Sequence, residues 1–378
     1  MDMYLRHYFD PNFDYQSLRP TPAGQGDTDC YNLGYVQNVV KGQILAELVP
    51  LAEVEEPLPR FILKEAVLPQ GANTRIDPAH PQYLLADANG YVFYYQDKIV
   101  VKRLLNVRTD VSFQTGNIFF VGDTVVHKDV KAGFSVQANN VLVHGIVEGG
   151  EVRARKDLKV EGGARGGAGN RCLLDSSGSL RVTFAEKIEM RSRGKLLVDN
   201  FSAHSSIYVA GDLIIEGMLI GGTCHAARHI LVKGNAGNRT GAPTGVHLGY
   251  DPHLMRRKEQ FEKRLGVLTE RISHYEAVVG HLPPDANELT RKLEAARKKR
   301  QMLLNLQEAL SQTMYQEEAA ASGCRFIVMG TVFPGVEITI GRAAYKVSAP
   351  QEGVYFRLEN DEIVTGPIPD KLSASVKR

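Results

Sequence analysis

LLVDNFSAHSSIYVAGDLIIEGMLIGGTCHAARHILV, residues 196–232, holds three copies of one short pattern. Leu196 and Val198, Leu213 and Ile215, and Ile230 and Val232 are apolar pairs split by one spacer, and each pair returns after about 17 residues, a period of stacked supersecondary units. A second pair follows the first by about 11 residues, at Ile207/Val209 and Cys224/Ala226. Side chains alternate faces along a strand, so both members of a pair point into the same interior. Each repeat therefore has at least two walls. One such coil cannot bury its own apolar face, so the pattern predicts a stack of coils, a single-stranded β-helix.

Upstream, the series extends through Ile118/Phe120, Val141/Val143, Leu158/Val160 and Leu180/Val182, with Val152/Ala154 as another second-wall pair. Most steps are about 16 or 17 residues and two are about 22. The longer step after Ile118 contains GDTVVHKDVKAGFSV (122–136), which reads as an extra short strand and turn. The longer step after Leu158 contains EGGARGGAGN (161–170), which reads as a loop bulging from one face. Asn117, Asn140, Asp157, Ser179 and Asp212 stand just before strands, where the chain must bend.

At Tyr250 the period changes. Phe261, Leu265, Leu268, Ile272, Tyr275 and Val279 follow the a/d spacing of a coiled coil. Pro283 and Pro284 interrupt it, and Asp285 is placed to start a second helix. The second seam is Leu289, Leu293, Ala296, Leu303, Leu306 and Leu310. The expectation is an antiparallel hairpin with arms on the order of 40 Å long. Apolar pairs then resume at Phe326/Val328 and Val336/Ile338, so the hairpin reads as an insertion in the β-helix. Strand signals over 345–368 would cap the last rung, and LSASVKR (372–378) would fray.

Ahead of the repeats, GYVQNVVKGQILAEL (34–48), FILKEAVL (61–68) and GYVFYYQDKIVVKRLL (90–105) suggest a small β domain. The expected organisation is an irregular arm over 1–30, a β domain over 31–110, β-helix over 111–250, a coiled-coil hairpin over 251–322, and β-helix with a cap over 323–378. The fold class is mainly β with one helical insertion.

The chain has 378 residues, 36 Gly, no Trp and a net charge of +2, which favours turn-rich β structure and gives no global pull toward nucleic acid. Cys30, Cys172, Cys224 and Cys324 form no CxxC pair, arguing against a disulfide framework or zinc knuckle. No signal-like segment or membrane span is apparent, so a cytoplasmic protein is expected.

Four groups of residues are candidates for chemistry. Cys224, His225, His229 and His247 are the nearest to a metal set, but Cys224 belongs to an inward pair and the histidines need not converge. The glycine runs 161–170 and 233–245 lack the P-loop order and are read as turns. Arg153, Arg155, Lys156, Lys159, Arg165, Arg171, Arg181, Arg191, Arg193 and Lys195 are interleaved with acids and read as a solvated face; RKKR (297–300) reads the same way. A polyanion-binding stripe is the minority reading. A β-helical lyase would want grouped carboxylates and sugar platforms, and hexapeptide acyltransferases advance strictly by six. No catalytic, cofactor-binding or metal residues are assigned, and no enzyme is expected.

The stretches VVKGQILAEL (39–48), ANGYVFYYQDKIVVKRLLNVRTDV (88–111), TGNIFFVGDTVVHKDVKAGFSVQANNVLVHGIVEGGEVRA (115–154), LIIEGMLIGGTCHAARHI (213–230) and GTVFPGVEITIG (330–341), with the helical insertion between them, resemble the flagellar assembly protein A (FapA) family. The resemblance implies a right-handed β-helix in a bacterial cytoplasmic protein. It would serve flagellar assembly or placement through protein partners of the flagellar or cell-pole machinery. Relative to longer members the chain lacks a substantial N-terminal region, and it has PLAEVEEPLPRF (50–61) where the family has a glycine-rich link. The alternative is a self-assembling element resembling bactofilin-like polymers, with homo-oligomers forming through the coiled coil or the solenoid ends.

Overall fold

The apolar pairs stack as parallel ladders. A computed structural model describes residues 2–18, 21–24, 27–167, 169, 171–279, 287–316 and 318–368, and the chain divides into two units, residues 1–190 and 191–378. The fraying expected of LSASVKR, the Pro283/Pro284 break and the Asp285 helix start lie outside the described residues.

In the first unit, one wall runs Leu104–Val107, Asp123–Val126, Val141–Val143, Leu158–Val160 and Leu180–Val182, each strand parallel to the last. Val126, Val143, Val160 and Val182 form an interior column, all essentially inaccessible to solvent. Burying a valine this fully is worth roughly 1.5–3 kcal/mol, and strands about 4.8 Å apart set each directly on its neighbour. A second wall runs Ile118–Phe119, Ser135–Ala138, Glu151–Ala154 and Leu173–Ser176.

This arrangement corrects the sequence reading of Ile118/Phe120. Ile118 pairs with Val136 in the second wall, and Thr124 and Val126 precede Val141 and Val143 in the first. The long step after Ile118 therefore results from crossing between walls. Residues 122–136 do hold a further short strand, Asp123–Val126, which is a regular rung of the first wall, followed by the Val130 bridge of the third wall and the start of Ser135–Ala138 in the second. Thr124 interrupts the apolar pair, which is why the pattern skipped it.

A third wall escaped the sequence reading. Val147–Glu148, Ala164–Arg165 and Ala185–Glu186 are two-residue strands in parallel, and single bridges extend this wall back through Val130 to Val111. Two residues cannot display an alternation, so there was no period to read. The second long step is a true insertion: its extra residues lie between Arg165 and Leu173, at one corner, while the walls on either side stay in register. Gly163 precedes that corner at φ +92°, and a Cβ there would come within 2.3 Å of the Phe184 ring.

The small polar residues before strands also bond between coils. Asp123, Asn140 and Asp157 each accept, through a side-chain oxygen, the backbone N–H of the corresponding corner one coil later, at Asn140, Asp157 and Ser179. Corner N–H groups would otherwise lack a ladder partner, and these side chains supply one.

The front of the first unit is a five-stranded antiparallel sheet and a three-stranded one sharing a core of Leu5, Leu45, Leu48, Leu84, Val92 and Ile99 among others. Met3–His7, expected to be irregular, is a strand between Ile44–Pro50 and Ile62–Leu63. Its three-residue apolar run, Met3 to Leu5, followed by Arg6 and His7, is too short to read alone.

In the second unit the first wall runs Leu196–Val198, Leu213–Ile215, His229–Val232 and Arg325–Val332. The second runs Phe201–Val209, Met218–Ala226, Thr244–Leu248 and Val336–Ile340. Ile230 is thus the direct neighbour of Phe326, although two helices, α1 (Pro252–Val279) and α2 (Asn287–Gln316), intervene in sequence. After Ile340 the pairing changes to antiparallel: Ala343–Lys346 returns on Val336–Ile340, and Gln351–Glu359 lies against Arg325–Val332. Phe356 stacks on Phe326 and covers the last rung.

Replacing Leu213 by Asp puts an unpaired charge into a fully enclosed site between neighbouring coils. The cost should be about 4 kcal/mol or more, with amides of the 196–198, 213–215 and 229–232 strands losing hydrogen-exchange protection together. Loss confined to the mutated strand would contradict cooperative stacking.

Candidate functional site

The outward column of the second unit's second wall changes character where the helices leave. Inward residues Ile207, Cys224, Val246 and Ile338 are all buried. Their outward neighbours in register are Tyr208, His225, His247 and Thr339. In the first unit the equivalent outward column is Gln137, Arg153 and Asp175, as a solvated face requires. Tyr208 and His225, although outward, are 5% and 3% exposed, because α1 lies over them.

The rings form a stack. Tyr208 and His225 are 5.0 Å apart and nearly parallel, and His225 and His247 are 4.5 Å apart. Glu259 reaches down from the second turn of α1, accepting the Tyr208 hydroxyl at 2.6 Å with its Oε2. Its Oε1 lies 3.2 Å from His225 Nε2. That approach is not aligned as a hydrogen bond and neither ring nitrogen of His225 has another partner among the described residues, so the contact is chiefly electrostatic. Burial pushes the Glu259 carboxyl up, but contact with His225 and Tyr208 and the charges of His225 and Lys263 hold it below the ordinary range. Burial, aided by the charge of His225, lowers His247 to about 4 against the pull of Glu259 and Glu337.

Local sequence sets this geometry. Asp251 caps α1 by accepting the His253 N–H at 2.8 Å, satisfying one of its orphan donors. Gly249, at φ +90°, passes so close to the returning chain that a Cβ would lie 2.7 Å from the Cβ of Ala321. The outgoing and returning segments cross at that glycine.

Of the four residues weighed as a metal set, the structure brings together only His225 and His247. Cys224 faces the interior, where burial raises its thiol to about 12, and His229 lies on the other wall beside Arg325. Strand alternation sends adjacent Cys224 and His225 to opposite faces. No cluster of three or more His, Cys, Asp or Glu suited to a metal occurs among the described residues. All four cysteines are free thiols. The sequence reading missed Tyr208 and Glu259; the available signal was three successive coils with Tyr, His and His outward instead of charged residues.

In the first unit four cations of the basic stripe stand beside carboxylates. Arg153 pairs with Glu151, Lys159 with Glu161 and Arg165 with Glu148 at 2.6–2.9 Å, and Arg171 pairs with Glu189. Exposed pairs of this kind contribute at most about 1 kcal/mol each, and they weaken the field that a polyanion would meet at these four cations. RKKR also loses one member, since Arg297 bonds Glu276 across the helices.

Glu259→Ala should strip the carboxylate from buried His225 and Tyr208 and free the root of α1, at a cost of about 2 kcal/mol. Faster amide exchange over residues 252–262, with the solenoid strands unchanged, is the expected readout; Tyr208→Phe should cost about half as much. Acid should have the same effect. His247 remains neutral in the fold until about pH 4, so the unfolded chain takes up its proton first and stability falls between pH 6.5 and about 4. Glu259, held low, adds a further loss as pH drops below its ordinary 4.5 and through its folded value. His247→Phe should reduce the upper part of that pH dependence, to which His229 and His7, also lowered by burial, contribute, and leave the lower part.

No helix among the described residues is long and apolar enough to cross a membrane. No curated protein and no solved structure matches the chain. The family model for the flagellar assembly protein A (FapA) beta solenoid domain matches residues 103–363, more than two thirds of the length, and spans the parallel ladders and both helices. The chain belongs to the flagellar assembly protein A family.

Proposed function

We propose that this chain is a non-enzymatic cytoplasmic scaffold that acts in flagellar assembly or placement by holding protein partners of the flagellar or cell-pole machinery. Its coils, from Leu104 onward, are right-handed β-helix that serves as the platform, and the small β domain ahead of them takes in the Met3–His7 strand. Its two helices, within 251–322, form an antiparallel coiled-coil hairpin that carries recognition.

One observation carries this reading: the helical insertion leaves and returns between adjacent rungs and is fixed at its root by Glu259. Ile230 and Phe326 stay neighbours as if nothing intervened, so the insertion adds surface without disturbing the stack. The contacts between helices support the antiparallel hairpin. Leu268 and Ile272 pack with Leu293 and Ala296; Glu276 bonds Arg297, whereas Glu262, earlier in α1, meets Gln307, later in α2. End-to-end polymerisation is less favoured, because the antiparallel strands Ala343–Lys346 and Gln351–Glu359 occupy the last parallel edges.

Deleting residues 256–320 and joining the flanks should leave the strand signal and thermal unfolding of the coils largely intact and abolish capture of flagellar or polar partners in affinity purification. Unchanged capture would overturn the recruiting role of the arm. Sedimentation that grows steadily with concentration would instead favour a polymer.

A further inference from the structure

The two long sides of the helical arm differ chemically. Val267, Met302 and Leu306 are 59%, 65% and 43% exposed, although each immediately precedes a residue facing the other helix: Leu268, Leu303 and Gln307. Leu306 had been expected in the seam, but Gln307 takes that place and contacts Glu262.

Antiparallel helices are related by a two-fold axis perpendicular to both. The residue one step before a packed position therefore falls on the same side of the pair in either arm. The contacts of Glu276 with Arg297 and Glu262 with Gln307 place Val267 level with Met302. Arg264 and Arg271, three before and four after Val267, share its stripe, as Lys299 shares that of Met302. By the same geometry Glu262, Glu276 and Glu308 lie on the opposite side, where Arg297 is neutralised. Arg264, Arg271 and Lys299 have no carboxylate partner among the described residues. Together the two helices hold twelve Lys and Arg against seven Glu, an excess of five in a chain whose total is only +2.

We propose that this side of the arm docks an acidic amphipathic α-helix of a partner protein, completing a three-helix bundle. Its apolar stripe lies on Val267, Met302 and Leu306, and its flanking carboxylates meet Arg264, Arg271 and Lys299. The groove between two antiparallel helices accepts a third by the same packing that joins the first two. Charge selects the occupant. A second copy presenting this same side would set these cations against themselves, and a basic helix would be repelled. The inference rests on the recruiting, antiparallel arm proposed above.

The test uses the full chain and a fluorescent peptide with leucines at heptad spacing and flanking glutamates, read by anisotropy. The same peptide with flanking lysines, polyglutamate and phosphatidylglycerol vesicles serve as comparisons. The glutamate-flanked peptide should bind best, weakening with salt. Charge reversal at Arg264→Glu, Arg271→Glu and Lys299→Glu should weaken it by roughly tenfold or more, as should Met302→Ser with Leu306→Ser. Glu308→Lys, on the other side, should leave it unchanged, and circular dichroism should show all variants equally helical. Equal binding of the lysine-flanked peptide, tighter binding to vesicles or polyglutamate, or indifference to the substitutions would each overturn the proposal. The two readings separate in partner capture: loss on deletion of 256–320 but not on charge reversal would remove this docking side and leave the recruiting arm standing. Capture unaffected by either would remove both.

Discussion

Parallel pairing places each inward side chain directly on its counterpart one coil away, and the remaining structure follows from that stacking. Val126, Val143, Val160 and Val182 make one such column, and Ile207, Cys224, Val246 and Ile338 make another. No single coil encloses these residues. Their burial comes from neighbours, so stability is shared along the stack and each coil depends on the next. The same requirement accounts for the corners, where Asp and Asn side chains bond the next coil's N–H because the strand ladder has ended.

A stack so constrained in its interior is free at its corners and outer faces. The glycine-rich insertion between Arg165 and Leu173 and the much longer helical insertion after Leu248 both leave from such places and return with the ladders still in register. The helical insertion differs in being tied down. Glu259 reaches back to Tyr208 and His225, turning an outward column that would otherwise be solvated into a buried one. Electrostatics, not apolar area alone, fixes the root, and the Glu259 carboxylate and the His247 imidazole make that root sensitive to acid.

The outer faces of the coils and of the helices differ in how their charges are arranged. In the first unit Arg153, Lys159, Arg165 and Arg171 stand beside glutamates on the same or the next coil. On the helices several cations, Arg264, Arg271 and Lys299 among them, have no carboxylate partner among the described residues. The net charge of the chain conceals this division, since +2 is a sum over regions of opposite sign.

Wherever a pattern repeated, the sequence by itself determined it: the period near 17, two of the walls, the helical interruption and the return at Phe326 all follow from alternation and heptad spacing. Where an element was two residues long, or an apolar pair was broken by Thr124, periodicity had nothing to count. The third wall and the correct placing of Ile118 had to come from the tertiary pairing. The grouping of Tyr208, His225, His247 and Glu259 was also beyond the sequence. Stacking sets residues about one coil apart side by side, and an insertion brings back a glutamate fifty-one residues away from the tyrosine it bonds. Local order in a chain fixes which face a residue takes; only the fold decides what covers that face.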